Sequence, residues 1–288
     1  MDDTPSGSVF IRLVVSFFFL PFFIKISEAK VRIKVDFDSY SIKFSVYKET
    51  YEGFSTGANI RMGNKERTFD LGLYYTESYY VYTKYKRWDI TGIYSKYYKD
   101  YGIFSGVHYI SSDSIYSHGT VVIFAGAEYF LGNKNVLIGF DTSLSMYRNR
   151  FFSLNVSQLS NRLKWRIKTS LIPFIFIETR LYYINPFENF DFIPKDDYLS
   201  AEISFSARFT KVFLGVGFMT GEQILAVKNR GYSVNTSFTT KKRKYSVYAR
   251  YYVLPSFTIN AGISKTFAEY FGVDYFYDSY SVGINALY

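Results

Sequence analysis

Apolar and polar side chains alternate along most of the chain after residue 30. In 31–37 the apolar residues fall on odd numbers, and in 40–46 they fall on even numbers. A period of two is typical of a β-strand with one apolar face and one polar face. The change of parity across Asp38-Ser39 predicts a two-residue hairpin turn that pairs Phe37 with Tyr40, and a β-bulge would produce the same change.

The same alternation recurs in pairs of segments that are separated by short breaks. The pairs are 121–131 with 136–140, 201–209 with 212–218, and 232–238 with 245–253, and a further segment, 257–263, follows Leu254-Pro255-Ser256. The breaks between the paired segments are 132–135, 210–211 and 241–244. Strands joined by such short connections are antiparallel neighbours. No helical pattern of 10–15 residues is present to form parallel crossovers, so an α/β fold is excluded and an all-β fold is predicted.

The last segment of the chain alternates up to its final residue. Its small or polar positions are Ser281, Gly283 and Asn285, and Leu287 departs from the pattern. The apolar positions are Tyr280, Val282, Ile284, Ala286 and Tyr288. An alternating strand that ends on an aromatic residue resembles the carboxy-terminal assembly signal of bacterial outer-membrane β-barrels. The resemblance implies that the barrel-assembly machinery is a partner.

The alternation alone fits two architectures, since the apolar face of a soluble β-sandwich would form its core. The clear segments approach the length of a membrane-spanning strand, which is about 9–11 residues at a tilt of about 45°. Lipid hydrocarbon offers no hydrogen-bond partner to an unpaired backbone group, so spanning strands must close into a barrel in which they pair with one another. We predict an antiparallel transmembrane up-and-down β-barrel of about 14 strands, within a range of about 12–16.

Four further segments are assigned less directly in that predicted barrel. Segments 51–65 and 150–172 are ambiguous, 266–278 is predicted to be an aromatic extracellular loop, and 186–197 is long for a periplasmic turn.

The amino terminus contains an apolar stretch, 13–24, between Arg12 and Lys25. This stretch is too short to span a bilayer but suits the core of a signal peptide. Small residues in Ser27-Glu28-Ala29 predict cleavage after Ala29, so that 1–29 is removed and 30–288 forms the barrel. A buried core helix is the alternative. Because Asp2 and Asp3 make the leader acidic, we expect the true start of translation nearer Arg12.

Composition narrows the classes of function. The chain is 22% aromatic, with 30 Tyr and 30 Phe, which suits pleated strands and membrane interfaces and excludes disorder. Without cysteine and with two histidines, the usual zinc and iron–sulfur sites are absent, and no metal or cofactor is predicted. The net charge of +9 favours an anionic partner. Nucleic acid is not a predicted partner, because no nucleic-acid-binding motif is present.

Two stretches resemble a more specific group. Segment 126–132 (GAEYFLG) and segment 280–284 (YSVGI) resemble YaiO-type outer-membrane barrels. That resemblance implies a membrane barrel and supplies no catalytic residues.

The face opposite the lipid is predicted to line an enclosed lumen. Its charged members are Glu128, Asp141, Lys164, Arg166, Lys168, Glu178, Arg180, Glu202, Arg208 and Arg250. In a narrow barrel such charges would pair and fill the interior, whereas in a wider one they would set ion preference. Lys164, Arg166 and Lys168 form the best candidate for attracting an anion.

The predicted function is therefore an outer-membrane channel for small solutes with a mildly cationic lumen, surrounded by outer-membrane lipid, with a small anionic solute as the candidate substrate. A structural or adhesin-like barrel that acts through its loops is one alternative. A barrel hydrolase is another: His108 would point inward and His118 would lie in a polar loop. No Ser or Asp stands near either histidine at a recognisable spacing, so we predict that the protein is not an enzyme.

Overall fold

The computed structural model contains a closed barrel of fourteen antiparallel strands. The residues that the structure describes are 32–46, 49–80, 83–114, 117–133, 135–149, 155–170, 172–187, 193, 195–229, 233–234, 239–270 and 272–287. The predicted cleavage site at Ala29 and the terminal Tyr288 lie outside them. No helix in these ranges is long and apolar enough to cross a membrane.

Sixteen strands are defined in chain order, of which all but β12 and β13 belong to the barrel. They are β1 (Arg32–Val46), β2 (Glu49–Gly63), β3 (Arg67–Tyr80), β4 (Thr83–Tyr97), β5 (Tyr101–Ser112), β6 (Thr120–Gly132), β7 (Val136–Arg148), β8 (Asn155–Ile167), β9 (Phe174–Pro186), β10 (Tyr198–Arg208), β11 (Val212–Gln223), β12 (Val227–Lys228), β13 (Ser233–Val234), β14 (Thr240–Leu254), β15 (Phe257–Tyr270) and β16 (Val273–Leu287).

Each barrel strand pairs with its neighbours in sequence, and β11 pairs with β14 across the segment that contains β12 and β13. The last strand closes the barrel against the first, in a register that runs from Lys34 opposite Leu287 to Ser45 opposite Phe276. Closure leaves no strand edge without a partner. The predicted antiparallel up-and-down barrel of about 14 strands is confirmed.

The period-two pattern divides the side chains between the two faces of the barrel wall. On β16, Tyr280, Val282 and Ile284 point outward and are exposed, whereas Gly283 between them points inward and is buried. The same division holds on β10, where Phe205 is exposed on the outside and Ser206 is buried on the inside. The outer surface is therefore mainly apolar, and the inner surface is mainly polar.

Two short turns share one sequence motif and one geometry. Gly63-Asn64 and Gly132-Asn133 end β2 and β6, and both glycines have positive φ (151° and 125°). In each turn the asparagine Oδ1 accepts hydrogen bonds from two backbone N–H groups two and three residues later, at 2.8–3.0 Å. Asparagine at a turn commonly makes such side-chain bonds to the backbone. The predicted turn at 132–135 is confirmed, as are those at 210–211 and 254–256.

The connections differ in length at the two ends of the barrel. At the end that holds the chain termini, the connections are short: 64–66, 98–100, 133–135, 168–173, 209–211 and 255–256. Long connections, 113–119, 149–154, 187–197 and 224–239, lie at the opposite end. We call these the short-turn end and the long-loop end. Apart from Pro186, which ends β9, segment 186–197 is thus a long-loop connection and not one of the short turns.

The predicted hairpin at Asp38-Ser39 is wrong. β1 continues through these residues in unbroken register, with Phe37 opposite Ala58 and Tyr40 opposite Ser55. Backbone pairing with both neighbouring strands determines the course of the chain here, because every backbone group of a barrel strand needs a hydrogen-bond partner.

Two predicted breaks also belong to strands. Residues 241–244 lie within β14, and all of 266–278 except 271–272 lies within β15 and β16. Cross-strand ion pairs stabilise charges near the long-loop end of these strands: Lys242 lies 2.5 Å from Glu269 and 2.8 Å from Asp274. The ambiguous segment 51–65 belongs mainly to β2, and 150–172 contains β8.

Candidate functional site

The barrel interior is the candidate functional site because charged and polar side chains from most strands converge there. A segment of the β11–β14 connection is also folded into it. Ile224, Leu225, Ala226 and Val227 are buried, and β12 pairs with β13 through Val227 opposite Val234. We call residues 224–229 and 233–234 the inner segment. Two of its residues, Leu225 and Asn229, have positive φ (50° and 52°), so the backbone turns sharply where it enters and where it leaves β12.

Apolar packing fixes the inner segment against the wall. Its buried side chains belong to one hydrophobic cluster with wall residues from seven barrel strands and with Ile193. The wall residues are Ile93, Phe104, Ile110, Val122, Phe124, Tyr147, Val156, Ile184 and Tyr198. This cluster lies inside the barrel, toward the long-loop end, and it narrows the lumen there. The predicted strand 232–238 is therefore wrong as a barrel strand, since its described part is β13 of the inner segment.

A glutamine side chain binds the backbone of the inner segment twice. Gln158 Nε2 donates to the carbonyl oxygen of Val227 at 2.6 Å, and the Val227 N–H donates to Gln158 Oε1 at 2.8 Å. Both residues are buried. The amide thus pairs with β12 as a strand neighbour would, and it satisfies backbone groups that water does not reach.

Charged groups hold β12 on the neighbouring part of the wall. Lys228 forms an ion pair with Glu202, and Arg180 donates from Nη1 to Asn229 Oδ1 at 2.9 Å. Arg180 is in turn paired with Glu178 at 2.6 Å. Burial lowers the pKa of the Lys228 ammonium, although the Glu202 carboxylate favours its charged form.

A second anchor lies on β4. Arg87 donates from Nη2 to the carbonyl oxygen of Val234 at 2.8 Å, and its Nε donates to Asp89 at 2.7 Å. Gln158 lies on β8, Arg180 on β9 and Glu202 on β10, so with Arg87 on β4 the inner segment is anchored on four separate strands of the wall. It therefore crosses the lumen.

Behind this anchor, the structure assembles a group that the sequence did not reveal. His108 Nε2 lies 2.8 Å from Asp89 Oδ1, and His108 Nδ1 lies 2.6 Å from Thr91 Oγ1. A hydroxyl, an imidazole and a carboxylate in line also form the core of hydrolase triads. Here Thr91 and His108 have no exposed surface, and Asp89 also binds Arg87. The pairing of β4 with β5, which places Thr91 opposite His108, produces this contact. The second histidine, His118, lies in the 113–119 connection, and its Nδ1 accepts a hydrogen bond from the backbone N–H of Ser112.

A small polar cavity of about 40 Å³ lies between the inner segment and strands β6 to β9. Its wall includes the ion pair of Arg162 with Asp141, the Arg180 side chain and the amides of Gln158 and Asn229. A space of this size with several polar partners can hold water.

The short-turn end of the lumen is rich in cations. Lys164 and Arg166 of β8, Arg208 of β10 and Arg250 of β14 occupy inward positions. Lys168 follows β8 in the 168–173 connection and is exposed at this rim. The Lys164 ammonium and the Arg166 guanidinium lie over aromatic rings, at 5.8 Å from Phe176 and 5.6 Å from Phe174.

The structure divides the predicted lumen residues into two groups. Glu178, Arg180 and Glu202 surround β12, whereas Lys164, Arg166, Arg208 and Arg250 lie nearer the short-turn end. Glu128 and Asp141 are buried on the inner face of β6 and β7. Three further charged residues, Arg87, Asp89 and Arg162, face the lumen, and the alternation of the sequence around them is a signal from which their inward position can be predicted. Lys228 also lies in the lumen, but no strand pattern in the sequence predicts its position.

No family model matches the chain, and no curated protein matches its sequence. Solved structures of bacterial outer-membrane proteins are similar to it in fold. The monoaromatic hydrocarbon channel CymD has a TM-score of 0.54 at 7% identity, over 95% of this chain and 92% of that chain. The toluene transporter TodX of Pseudomonas putida has a TM-score of 0.53 at 9% identity, over 95% and 93%. OccAB4 of Acinetobacter baumannii has a TM-score of 0.50 at 7% identity, over 91% and 99%. At these identities the similarity shows the fold, which is that of a bacterial outer-membrane β-barrel, and the YaiO-type resemblance stays a prediction.

Proposed function

We propose that this barrel is an outer-membrane channel for small solutes and that it prefers anions. The observation on which the proposal depends is the lumen: a closed, polar-lined interior in which the arginines at the short-turn end, Arg166, Arg208 and Arg250, form no ion pair with a described carboxylate. Cationic side chains that line a pore favour anions. The fold shared with the TodX, CymD and OccAB4 structures supports an outer-membrane channel in general and leaves the solute open.

The apolar outer surface supports insertion into lipid. Alternate residues of the strands present Val, Ile, Leu and aromatic side chains outward, as a membrane barrel requires. In this proposal, 1–29 is a signal peptide that is cleaved after Ala29, and the barrel-assembly machinery binds the final strand. Intact-mass measurement of the protein from outer membranes tests the cleavage, and a mass that includes Met1 would contradict it.

The inner segment restricts passage to small solutes. It crosses the lumen near the long-loop end and is held by apolar packing and by hydrogen bonds and an ion pair to four wall strands. A solute must pass beside it or displace it. We therefore propose a low single-channel conductance.

We further propose that the protein is not an enzyme. The Thr91–His108–Asp89 group supports a positioning role, since His108 and Thr91 hold Asp89, and Asp89 holds the arginine that binds the inner segment. Both the hydroxyl and the imidazole are sealed from solvent. In assays of phospholipid and peptide hydrolysis, the wild-type protein and His108→Ala should show the same background rate. Hydrolysis that the substitution abolishes would contradict the proposal.

Ion selectivity in planar lipid bilayers tests the channel. In a salt gradient of potassium chloride, the reversal potential should indicate preference for chloride. Replacing Arg208 and Arg250 together by glutamine should reduce that preference, because it removes two unpaired cations from the lumen wall. The control is Arg61→Gln, at an arginine that is paired with Asp70 on the opposite wall and should contribute less to selectivity.

Two outcomes would overturn the proposal. Preference for potassium would contradict an anion channel, and a folded barrel without conductance would favour the alternative of a structural or adhesin-like barrel. Capture of a surface partner by the wild-type barrel, but not by a variant lacking the 187–197 connection, would then support that alternative.

A further inference from the structure

Arginine and phenylalanine alternate across five neighbouring barrel strands near the short-turn end. The five residues, which we call the arginine–phenylalanine row, are Arg166 on β8, Phe174 on β9, Arg208 on β10, Phe213 on β11 and Arg250 on β14. In the strand register Arg208 lies opposite both Phe174 and Phe213, and Phe213 lies opposite Arg250. Arg166 lies opposite Phe176, the next inward residue of β9 after Phe174. All five positions have inward parity, so the row lines one wall of the lumen.

The arginines of the row have no carboxylate partner in the part of the chain that the structure describes. Other lumen arginines are paired there: Arg61 with Asp70 and Arg162 with Asp141. The Nε groups of Arg166 and Arg250 are buried and make no hydrogen bond in the described structure. No described protein group neutralises these arginines, and Arg208, the middle arginine of the row, is exposed, so its guanidinium is open to a ligand carboxylate.

Aromatic rings supply an apolar surface beside these donors. The Arg166 guanidinium lies 5.6 Å from the centre of the Phe174 ring, and the Arg208 guanidinium lies 4.7 Å from that of Tyr252. The Phe213 ring centre lies 5.7 Å from that of Phe176 and 5.8 Å from that of Tyr248. Contacts over the ring faces hold the guanidinium groups in place but accept none of their in-plane hydrogen bonds. The wall therefore combines free donors with flat apolar surfaces.

The spacing of the row defines the shape of a ligand. Adjacent strands lie about 4.8 Å apart, so successive arginines are separated by about 10 Å with a phenylalanine between them. A carboxylate that binds one guanidinium through two hydrogen bonds places its substituent over the neighbouring phenylalanine ring. A flat substituent about one ring wide fits this interval.

We propose that the arginine–phenylalanine row is a binding site for a small aromatic monocarboxylate. The proposal rests on the channel function, because the row lies between the inner segment and the short-turn end, where a solute would leave the lumen. The carboxylate binds the guanidinium of Arg208, and the aromatic ring packs on Phe213. The inner segment narrows the lumen above this site, so the ligand is retained at the short-turn end.

Isothermal titration calorimetry on the full chain in detergent tests the site with three probes. Benzoate should bind, while acetate and benzyl alcohol should bind at least about tenfold more weakly, since each lacks the ring or the carboxylate. Arg208→Gln should weaken benzoate binding by about tenfold or more. Phe213→Leu should weaken the binding of benzoate but leave the binding of acetate unchanged. Arg61→Gln, on the opposite wall, is the matched control and should bind benzoate as the wild type does. Heat-modifiable mobility on gels establishes that each variant is folded.

Equal binding of benzoate and acetate would overturn the proposal, because charge alone would then explain the site. An effect of Arg61→Gln as large as that of Arg208→Gln would also overturn it, as would the absence of benzoate binding to the folded wild type. Conductance of the same preparations distinguishes this inference from the proposed channel. If the barrel conducts anions but does not bind benzoate, only the proposed binding site is refuted. If it binds benzoate but does not conduct, only the proposed channel function is refuted.

Discussion

At the scale of single residues, the lumen is organised by polar groups that bind the backbone or the charges of the inner segment. Gln158 has the most specific role, since its amide both donates to and accepts from Val227. A hydrogen-bonded pair contributes little to folding stability when water can bind both groups in its place. Its loss is costly to stability when one of the two groups stays buried without a partner.

Gln158→Ala should therefore lower the free energy of unfolding by about 2 kcal/mol, because it leaves two buried backbone groups of Val227 without partners. Urea unfolding from lipid vesicles, followed by the fluorescence of Trp88 and Trp165, measures the change. The control is Asn285→Ala, which removes one side-chain bond to Asn260 and leaves no backbone group unpaired. An equal loss in both variants would contradict the role given to Gln158.

The ion pair of Lys228 with Glu202 should behave as a coupled unit. Removing one charge of a buried pair costs about 3–5 kcal/mol, because the other charge remains in a poorly hydrated place. We expect Lys228→Met to open the lumen, seen as larger or more frequent current steps in planar bilayers. The double variant Lys228→Met with Glu202→Gln should recover much of the wild-type behaviour. Additive effects of the two substitutions would contradict the coupling.

Much of this residue-scale arrangement was accessible from the sequence, but its pairing was not. Parity predicted that Glu178, Arg180 and Glu202 face the lumen, and the structure brings Arg180 and Glu202 against the inner segment and pairs Glu178 with Arg180. Parity gave no sign that Lys228 is their partner, because Lys228 lies in a connection with no alternation long enough to predict a strand. His108 shows the same limit: its inward position was predicted, whereas its contacts with Asp89 and Thr91 depend on the register of β4 and β5.

At the scale of elements, the β11–β14 connection has the largest consequence for function. Other long connections join adjacent strands at the long-loop end, and this one enters the barrel. Its apolar residues bury themselves against the wall, and its polar backbone is satisfied by wall side chains. Burial of each such apolar side chain contributes about 1.5–3 kcal/mol, so we expect the inner segment to be stably docked.

Replacing residues 225–238 by a short glycine–serine linker should raise the single-channel conductance several-fold while the barrel remains folded. The barrel strands pair with one another and need no contact with the inner segment to close. Conductance steps in planar bilayers measure the opening, and heat-modifiable gel mobility measures the fold. A matched replacement in the 113–119 connection, none of whose described residues belongs to the cluster around the inner segment, should leave conductance nearly unchanged. A barrel that fails to fold without the inner segment would show that the segment is part of the core.

Strands were predicted best where short turns limit their ends. Segments 121–131 and 257–263 agree with β6 and β15 because Gly, Asn and Pro mark the adjoining turns, and 201–209 agrees with β10, which ends at the two-residue break Thr210-Lys211. The predicted ends failed at 38–39, 241–244 and 266–278, where charges or parity changes suggested a break. Strands of 14 or 15 residues, such as β1, β14 and β15, exceed the length that crosses the hydrocarbon layer. Their ends therefore need no apolar outer face.

At the scale of the whole molecule, the barrel inverts the arrangement of a soluble protein, with apolar residues outside and polar residues inside. Neighbouring residues of one strand should therefore differ sharply in their tolerance of charge. Val282 and Ser281 lie side by side near the middle of β16, and Val282 points outward with 58% of its surface exposed.

Val282→Lys should lower the free energy of unfolding in lipid vesicles by about 2–4 kcal/mol, which is the cost of a lysine near the middle of the bilayer. Ser281→Lys, which points into the lumen, should change it by far less. Guanidinium titration of both variants in vesicles measures the difference. Equal tolerance of the two substitutions would contradict an outer surface in contact with lipid.

The sequence by itself determined that the chain is all-β, that its strands are antiparallel neighbours and that one face is apolar. These properties follow from local periodicity and from turn residues, which act over a few positions. Only the tertiary structure decided that the inner segment enters the lumen, which charges are paired and which arginines are left without described carboxylate partners. Those outcomes depend on strand register and on which walls face each other across the barrel, and both are set by closure of the whole sheet.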